Sequence, residues 1–295
     1  MRNTVTRSAL LCAIALSTCA MAEEKPLVAI NNPPPSETEW PDGKDSGIAG
    51  APASPLLFMD NSISYLWGKD FQVDPDRQQT ITLEHYSLWN WGDLFGFVDN
   101  TWFNGGKSIN GSHAYYGEIT PRFSIGRLSG TNLSFGPVKD VLLATTYEFG
   151  EGDVETFRFG PGFDLAIPGF DFFKLNFYYR MPQGNRSPDG VWQVVPAWST
   201  SFVVGSSDLI IDGVVHWAIN TKKSGANHPN EQDYSKNLHI NPQIKYDLGK
   251  LLGEKPRQLL VGIEYDYWSN KYGIEDSSGF DTNQSAASLL LQYHF

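Results

Sequence analysis

Charged and tyrosyl side chains recur in this chain at every second position rather than in compact catalytic groupings. Glu84-x-Tyr86, Tyr116-x-Glu118-x-Thr120-x-Arg122 and Tyr178-x-Arg180 share that spacing. Tyrosine offers a flat apolar face with a polar edge. Carboxylates accept hydrogen bonds from hydroxyls, and arginine supplies a planar donor fork. Such a set suits contact with a neutral, hydrogen-bonding solute that carries a stackable ring. Catalysis is a poorer fit. No Gly-x-Ser-x-Gly elbow is present, and Ser112-His113, beside Asn110, would point to opposite faces of a strand. His216 and His239 lie on segments that can neighbour one another, but two histidines without a third ligand make no metal pattern. No catalytic residue, metal or cofactor is expected, and the chain does not read as an enzyme.

A period of two requires β-strands to present these residues on one face. Phe157, Phe159, Phe163 and Leu165 alternate with Arg158, Gly160, Gly162 and Asp164. Leu238, Ile240, Ile244 and Tyr246 likewise alternate with His239, Asn241, Gln243 and Lys245. The pattern predicts twelve strands near 60–68, 78–89, 91–103, 113–125, 138–149, 155–167, 172–181, 190–204, 208–220, 236–248, 257–268 and 285–295, the first three alternating least cleanly. Links after odd-numbered strands are mostly long and polar, such as 69–77, 221–235 and 269–284. Links after even-numbered strands are mostly tight, with 126–137 and 249–256 as exceptions, and the link 150–154 is short for its side.

A soluble sandwich would alternate as well. Three features favour an antiparallel transmembrane β-barrel instead. Charges such as Arg158, Asp164, Lys174, Asp212 and Glu264 sit mid-strand on the polar face. Aromatics cluster near strand ends on the apolar face, as interfacial girdles require. The last strand closes as Leu289-x-Leu291-x-Tyr293-x-Phe295, a terminal pattern that resembles the signal read by the outer-membrane assembly machinery. Apolar side chains then face outer-membrane lipid and their neighbours face a lumen, adding Thr82, Glu148, Lys174, Asp212, His216, His239, Lys245, Glu264 and Asp266 to the inward set. The competing reading for each charge is that it pairs with another across a narrow lumen.

Composition agrees. The chain has 295 residues, a formal net charge of −11, 18 Phe, 13 Tyr and 9 Trp, which disfavours disorder and a nucleic-acid partner alike. Mean hydropathy of −0.31 is what results when apolar and polar residues alternate. Arg2 and Arg7, the apolar run Ala9–Leu16 and the small-x-small site Ala20-Met21-Ala22 predict a secretory signal peptide over 1–22. Its removal takes away Cys12 and Cys19, the only two cysteines. Residues 23–56 carry seven prolines and one aromatic, the composition of an extended flexible tail. The barrel is expected over 57–295.

The stretch Glu118–Ile125, then Leu128 and Asn132–Asp140, resembles the signature of the Tsx-type nucleoside-specific channel family of Gram-negative outer membranes. Trp91–Asp99 is similar to the family's third strand, and Phe103-Asn104-Gly105-Gly106 to its following loop. The resemblance implies a twelve-stranded barrel through which nucleosides and deoxynucleosides diffuse by a narrow pore; the Pro-rich tail, expected on the periplasmic side, departs from the family pattern. It also implies that phages and colicins exploit some members as receptors. Solute contacts would lie partly near the first strands and loop, where this chain carries Tyr65, Trp67 and Phe71. Pore-lining positions are therefore expected at Glu84, Tyr86, Tyr116, Glu118, Arg122, Arg158, Tyr178, Arg180 and Phe71. The segment 126–137 falls on the turn side, where its Gly and Pro are expected to fix a turn and Phe135 to pack as a plug. Two other roles compete with nucleoside passage: a surface receptor or adhesion barrel, and a pore for another small polar solute.

Overall fold

Alternation produces a sheet with one apolar face, and in lipid such a sheet must close, because an open edge would leave backbone donors and acceptors unsatisfied. The computed structural model describes residues 55–107, 111–152, 154–183, 188–224 and 232–295. They form a closed antiparallel barrel of twelve strands, each paired to its sequence neighbour, with β1 closing on β12. The strands are β1 Leu56–Lys69, β2 Gln78–Trp89, β3 Gly92–Phe103, β4 His113–Ser124, β5 Val138–Gly150, β6 Val154–Leu165, β7 Phe172–Pro182, β8 Val191–Val204, β9 Ser207–Ala218, β10 Asn237–Asp247, β11 Leu259–Ser269 and β12 Gln284–His294. Each has 11 to 14 residues, enough for a tilted strand to cross a bilayer. The signal peptide and all but the last two residues of the predicted tail lie outside the described residues.

The strand count and the face assignment follow the alternation. The largest displacement is at β1, which starts four residues before its expected position. Leu56-Leu57-Phe58-Met59 is apolar at every residue and so has no visible period, and its register shifts between Leu56 and Phe58. The two anomalously long turn-side links contain short helices, α1 Ile125–Ser129 and α2 Leu248–Leu251. Ser124 caps α1 by accepting from the Arg127 N–H, and Asp247 caps α2 by accepting from the Lys250 N–H. Phe135 is no plug. It is 63% exposed at the turn-side rim, where its N–H and carbonyl both pair with Val138 and keep the ring outside. The turn between β2 and β3 depends on Gly92, at φ +148°, where a Cβ would lie 1.9 Å from the Arg122 carbonyl oxygen.

Outside, Ile63, Leu83, Ile119, Leu143, Ile244, Ile263 and Leu289 are exposed in a central band. Trp67, Trp102, Trp192 and Trp217 lie toward the long-loop end, and Tyr293 and Phe295 toward the turn end, the arrangement of interfacial girdles. Mid-strand prolines occur on alternate strands at Pro121, Pro161, Pro196 and Pro242. Each keeps its pairing with the preceding strand, and a gap of two residue pairs opens toward the following one. A proline cannot donate to the ladder. Across the first gap the Thr145 hydroxyl donates to the Pro121 carbonyl (2.9 Å).

Candidate functional site

The alternate residues of all twelve strands point inward, and their side chains meet. On β2, β3 and β4 the inward rings of Tyr86, Phe95, Phe97 and Tyr116 form one buried cluster, with Phe95–Phe97 centroids 5.9 Å apart and Phe97–Tyr116 5.8 Å. Phe172 of β7 packs against this aromatic wall.

Two guanidinium clusters cross the lumen beside it. Arg122 on β4 donates Nε to Asp93 Oδ1 (3.0 Å) and Nη2 to Asp93 Oδ2 (2.5 Å) and Asp164 Oδ1 (2.8 Å), and Nη1 reaches Asn176 Oδ1 at 3.4 Å. Lys174 lies 3.4 Å from Asp93 and 4.8 Å above the Tyr86 ring, a cation–π contact. Arg158 on β6 pairs with Glu118 and reaches Gln193 Oε1 and His216 Nδ1, each at 3.4 Å. The Tyr116 hydroxyl donates to both Glu118 (2.8 Å) and Glu148 (3.1 Å), and Arg180 faces Glu148 at 3.8 Å. Arg122 and Arg158 are both fully buried, so these pairs fill the lumen at their height.

The β9–β12 side carries Lys245 on Asp212 (2.7 Å) and His239 on Asp266 (3.0 Å). His239 stacks on Trp268 at 3.9 Å and lies 6.0 Å from His216. Glu84 accepts from Ser62 and Gln292 on this side. Above, three long loops interlock as a cap. Tyr272 donates to Asp74 (2.7 Å), while Lys271 sits 3.6 Å from Asp74 and donates to Gln284 (2.7 Å). Phe71 is buried 6.0 Å from the Lys271 ammonium. Arg180 lies 4.6 Å from the Tyr234 ring, which in turn packs against Gly273. In the exposed part of the 219–236 loop, the Lys223 ammonium at 2.8 Å and the Ser224 N–H hold the Asp233 carboxyl below its ordinary pKa.

All nine expected pore residues lie inside the barrel or its cap. The structure joins Tyr116, Glu118, Arg158, Tyr178 and Arg180 into one cluster and holds Arg122 in a second with Tyr86 close by. It leaves Glu84 on the opposite wall and Phe71 in the cap. Tyr65 and Trp67 face outward, 42% and 45% exposed. Sequence reasoning missed Phe95 and Phe97 as inward rings, because over Leu94–Val98 both faces of β3 carry only apolar residues and glycine. Trp268 was missed although it continues the alternation of Glu264 and Asp266, whereas Tyr272 and Lys271 were hidden in a loop, which carries no period.

The sequence model of the nucleoside-specific channel-forming protein Tsx matches residues 68–295. The chain belongs to the Tsx family. Among Tsx-family and related proteins, outer membrane protein OmpK of Vibrio parahaemolyticus is 24% identical over 208 residues, covering 69% of this chain and 73% of the relative. The Tsx protein of Klebsiella pneumoniae is 36% identical over 124 residues, 38% of this chain and 42% of that protein. Among solved structures, the KdgM porin in complex with disordered oligogalacturonate aligns with 79% of this chain and 99% of its own at 11% identity and a TM-score of 0.44. This Tsx-family chain is an outer-membrane channel protein.

Proposed function

We propose that the barrel passes nucleosides, and that the nine inward residues named from the sequence contact them. The observation that carries this reading is the aromatic wall of Tyr86, Phe95, Phe97 and Tyr116 facing paired guanidinium and carboxylate groups. Rings there stack on a base, while the charged groups offer donors and acceptors to sugar hydroxyls. Because the charges neutralise one another, an uncharged solute is favoured over an ion, and ionic conductance is small. The name of the Klebsiella pneumoniae relative supports the same solute class.

The test is reconstitution in a planar bilayer with adenosine or thymidine added. Millimolar nucleoside is expected to lower the conductance; a conductance that does not respond removes the nucleoside claim and leaves a channel for another small polar solute. The interlocked cap favours a second reading, surface recognition by the long loops, as a phage or colicin would use. Complete absence of conductance would support that reading.

A further inference from the structure

The guanidinium clusters are not symmetric across the lumen. Arg122 and Arg158 hold carboxylates closely: Asp93 and Asp164 for the first, Glu118 for the second. Toward β7, β8 and β9 they meet two amides and an imidazole near the limit of a hydrogen bond, Asn176, Gln193 and His216, all at 3.4 Å. An ion pair adds Coulombic attraction that a 3.4 Å contact to an amide or imidazole lacks. A solute pressing between the two sides therefore parts these longer contacts first and leaves the arginines on their carboxylates.

The wall formed by β7 to β10 has hydrogen-bonding capacity to spare. Six strand amides have a buried atom without a partner among the described residues, and five of them lie on β7, β8 and β10: Asn176, Gln193, Asn237, Asn241 and Gln243. Asn241 stands out. It is fully buried, faces inward, and both its Nδ2 and its Oδ1 lack a partner there. Beside it Pro242 breaks the ladder to β11, and the stacked rings of His239 and Trp268 lie one inward position further along β10. A buried amide left unpaired is destabilising, and native interiors keep such groups few.

We infer that Asn241 reads the edge of an uncharged planar ring in the lumen. Its adjacent donor and acceptor complement a ring that offers an acceptor and a donor side by side, as the 6-amino group and N7 of adenine do. This inference rests on the nucleoside reading above and names the position that discriminates among bases.

The test compares adenosine with purine riboside, which lacks the 6-amino donor, as blockers of the reconstituted full-length channel. In the wild type, purine riboside is expected to block about tenfold more weakly than adenosine, the loss of one to two neutral hydrogen bonds. Asn241→Leu is expected to raise the half-blocking concentration of adenosine to that of purine riboside and leave purine riboside unchanged. Asn241→Gln, which keeps the amide, is expected to retain part of the difference. If Asn241→Leu is blocked by adenosine as the wild type is, water alone satisfies this amide and the inference falls while the nucleoside channel stands. If adenosine does not block the wild type, the functional reading falls and takes this one with it. Should Asn241→Leu fail to assemble, the wild-type comparison decides, and equal block by the two ligands overturns the inference.

Discussion

At the scale of single residues, Arg158 has the widest reach. From β6 it touches Glu118 on β4, Gln193 on β8 and His216 on β9, nearly half the circumference. Removing one member of a buried pair strands the other charge. Arg158→Met is expected to cost about 3–5 kcal/mol, read from the urea midpoint of the folded, heat-modifiable band. The double variant Glu118→Gln/Arg158→Met is expected to recover most of that loss, since no buried charge is left uncompensated. Gly92→Ala tests a different constraint. With φ at +148° and the Arg122 carbonyl 1.9 Å from the added carbon, it is expected to cost ~1–3 kcal/mol in the same assay.

At the scale of elements, the cap and the strands differ in what holds them. The cap has several non-glycine residues at positive φ, among them Val73 (71°), Asn270 (52°) and Tyr272 (61°), held by contacts between loops. Gly273, at φ +72°, lies where a Cβ would meet the Tyr234 ring at 2.8 Å. Gly273→Ala is expected to cost the cap ~1–2 kcal/mol. Its signature is faster proteolytic cutting within 219–236 and 270–283 with the barrel band intact; unchanged cutting would show that the loops do not depend on that packing. This difference also explains what could be read in advance. Strands β4 to β12 were legible because each inward charge is flanked by outward apolar residues, and that put Glu118, Arg122, Arg158 and Arg180 inside. Phe95 and Phe97 were not, because over Leu94–Val98 both faces of β3 carry only apolar residues and glycine and a period of two disappears there. Lys271 and Tyr272 were not, because burial in a loop depends on distant partners, Asp74 and Gln284, that local sequence does not indicate.

At the scale of the whole molecule, closure of the sheet gives the apolar band and its girdles a continuous ring in lipid, and leaves the ends exposed. Phe295 allows the stability of the finished barrel to be tested apart from its assembly. Its N–H bonds to the Asn61 carbonyl (3.1 Å), yet the residue is 70% exposed. Deletion of Phe295 is expected to change equilibrium stability by less than about 1 kcal/mol and to slow appearance of the folded band several-fold in a pulse-chase experiment. Equal loss of rate and stability would mean that the residue acts only as packing.

The prolines at 121, 161, 196 and 242 bear on a stage before the barrel exists. An exported chain of this kind crosses an aqueous compartment unfolded, carrying segments of high β-propensity that would stack on one another as readily as on their proper neighbours. A proline in the middle of every second strand from β4 to β10 interrupts those segments with a residue that cannot donate to an intermolecular ladder. The finished wall lacks a few ladder bonds at those positions, and the same prolines disfavour stacking of the strands before the barrel closes.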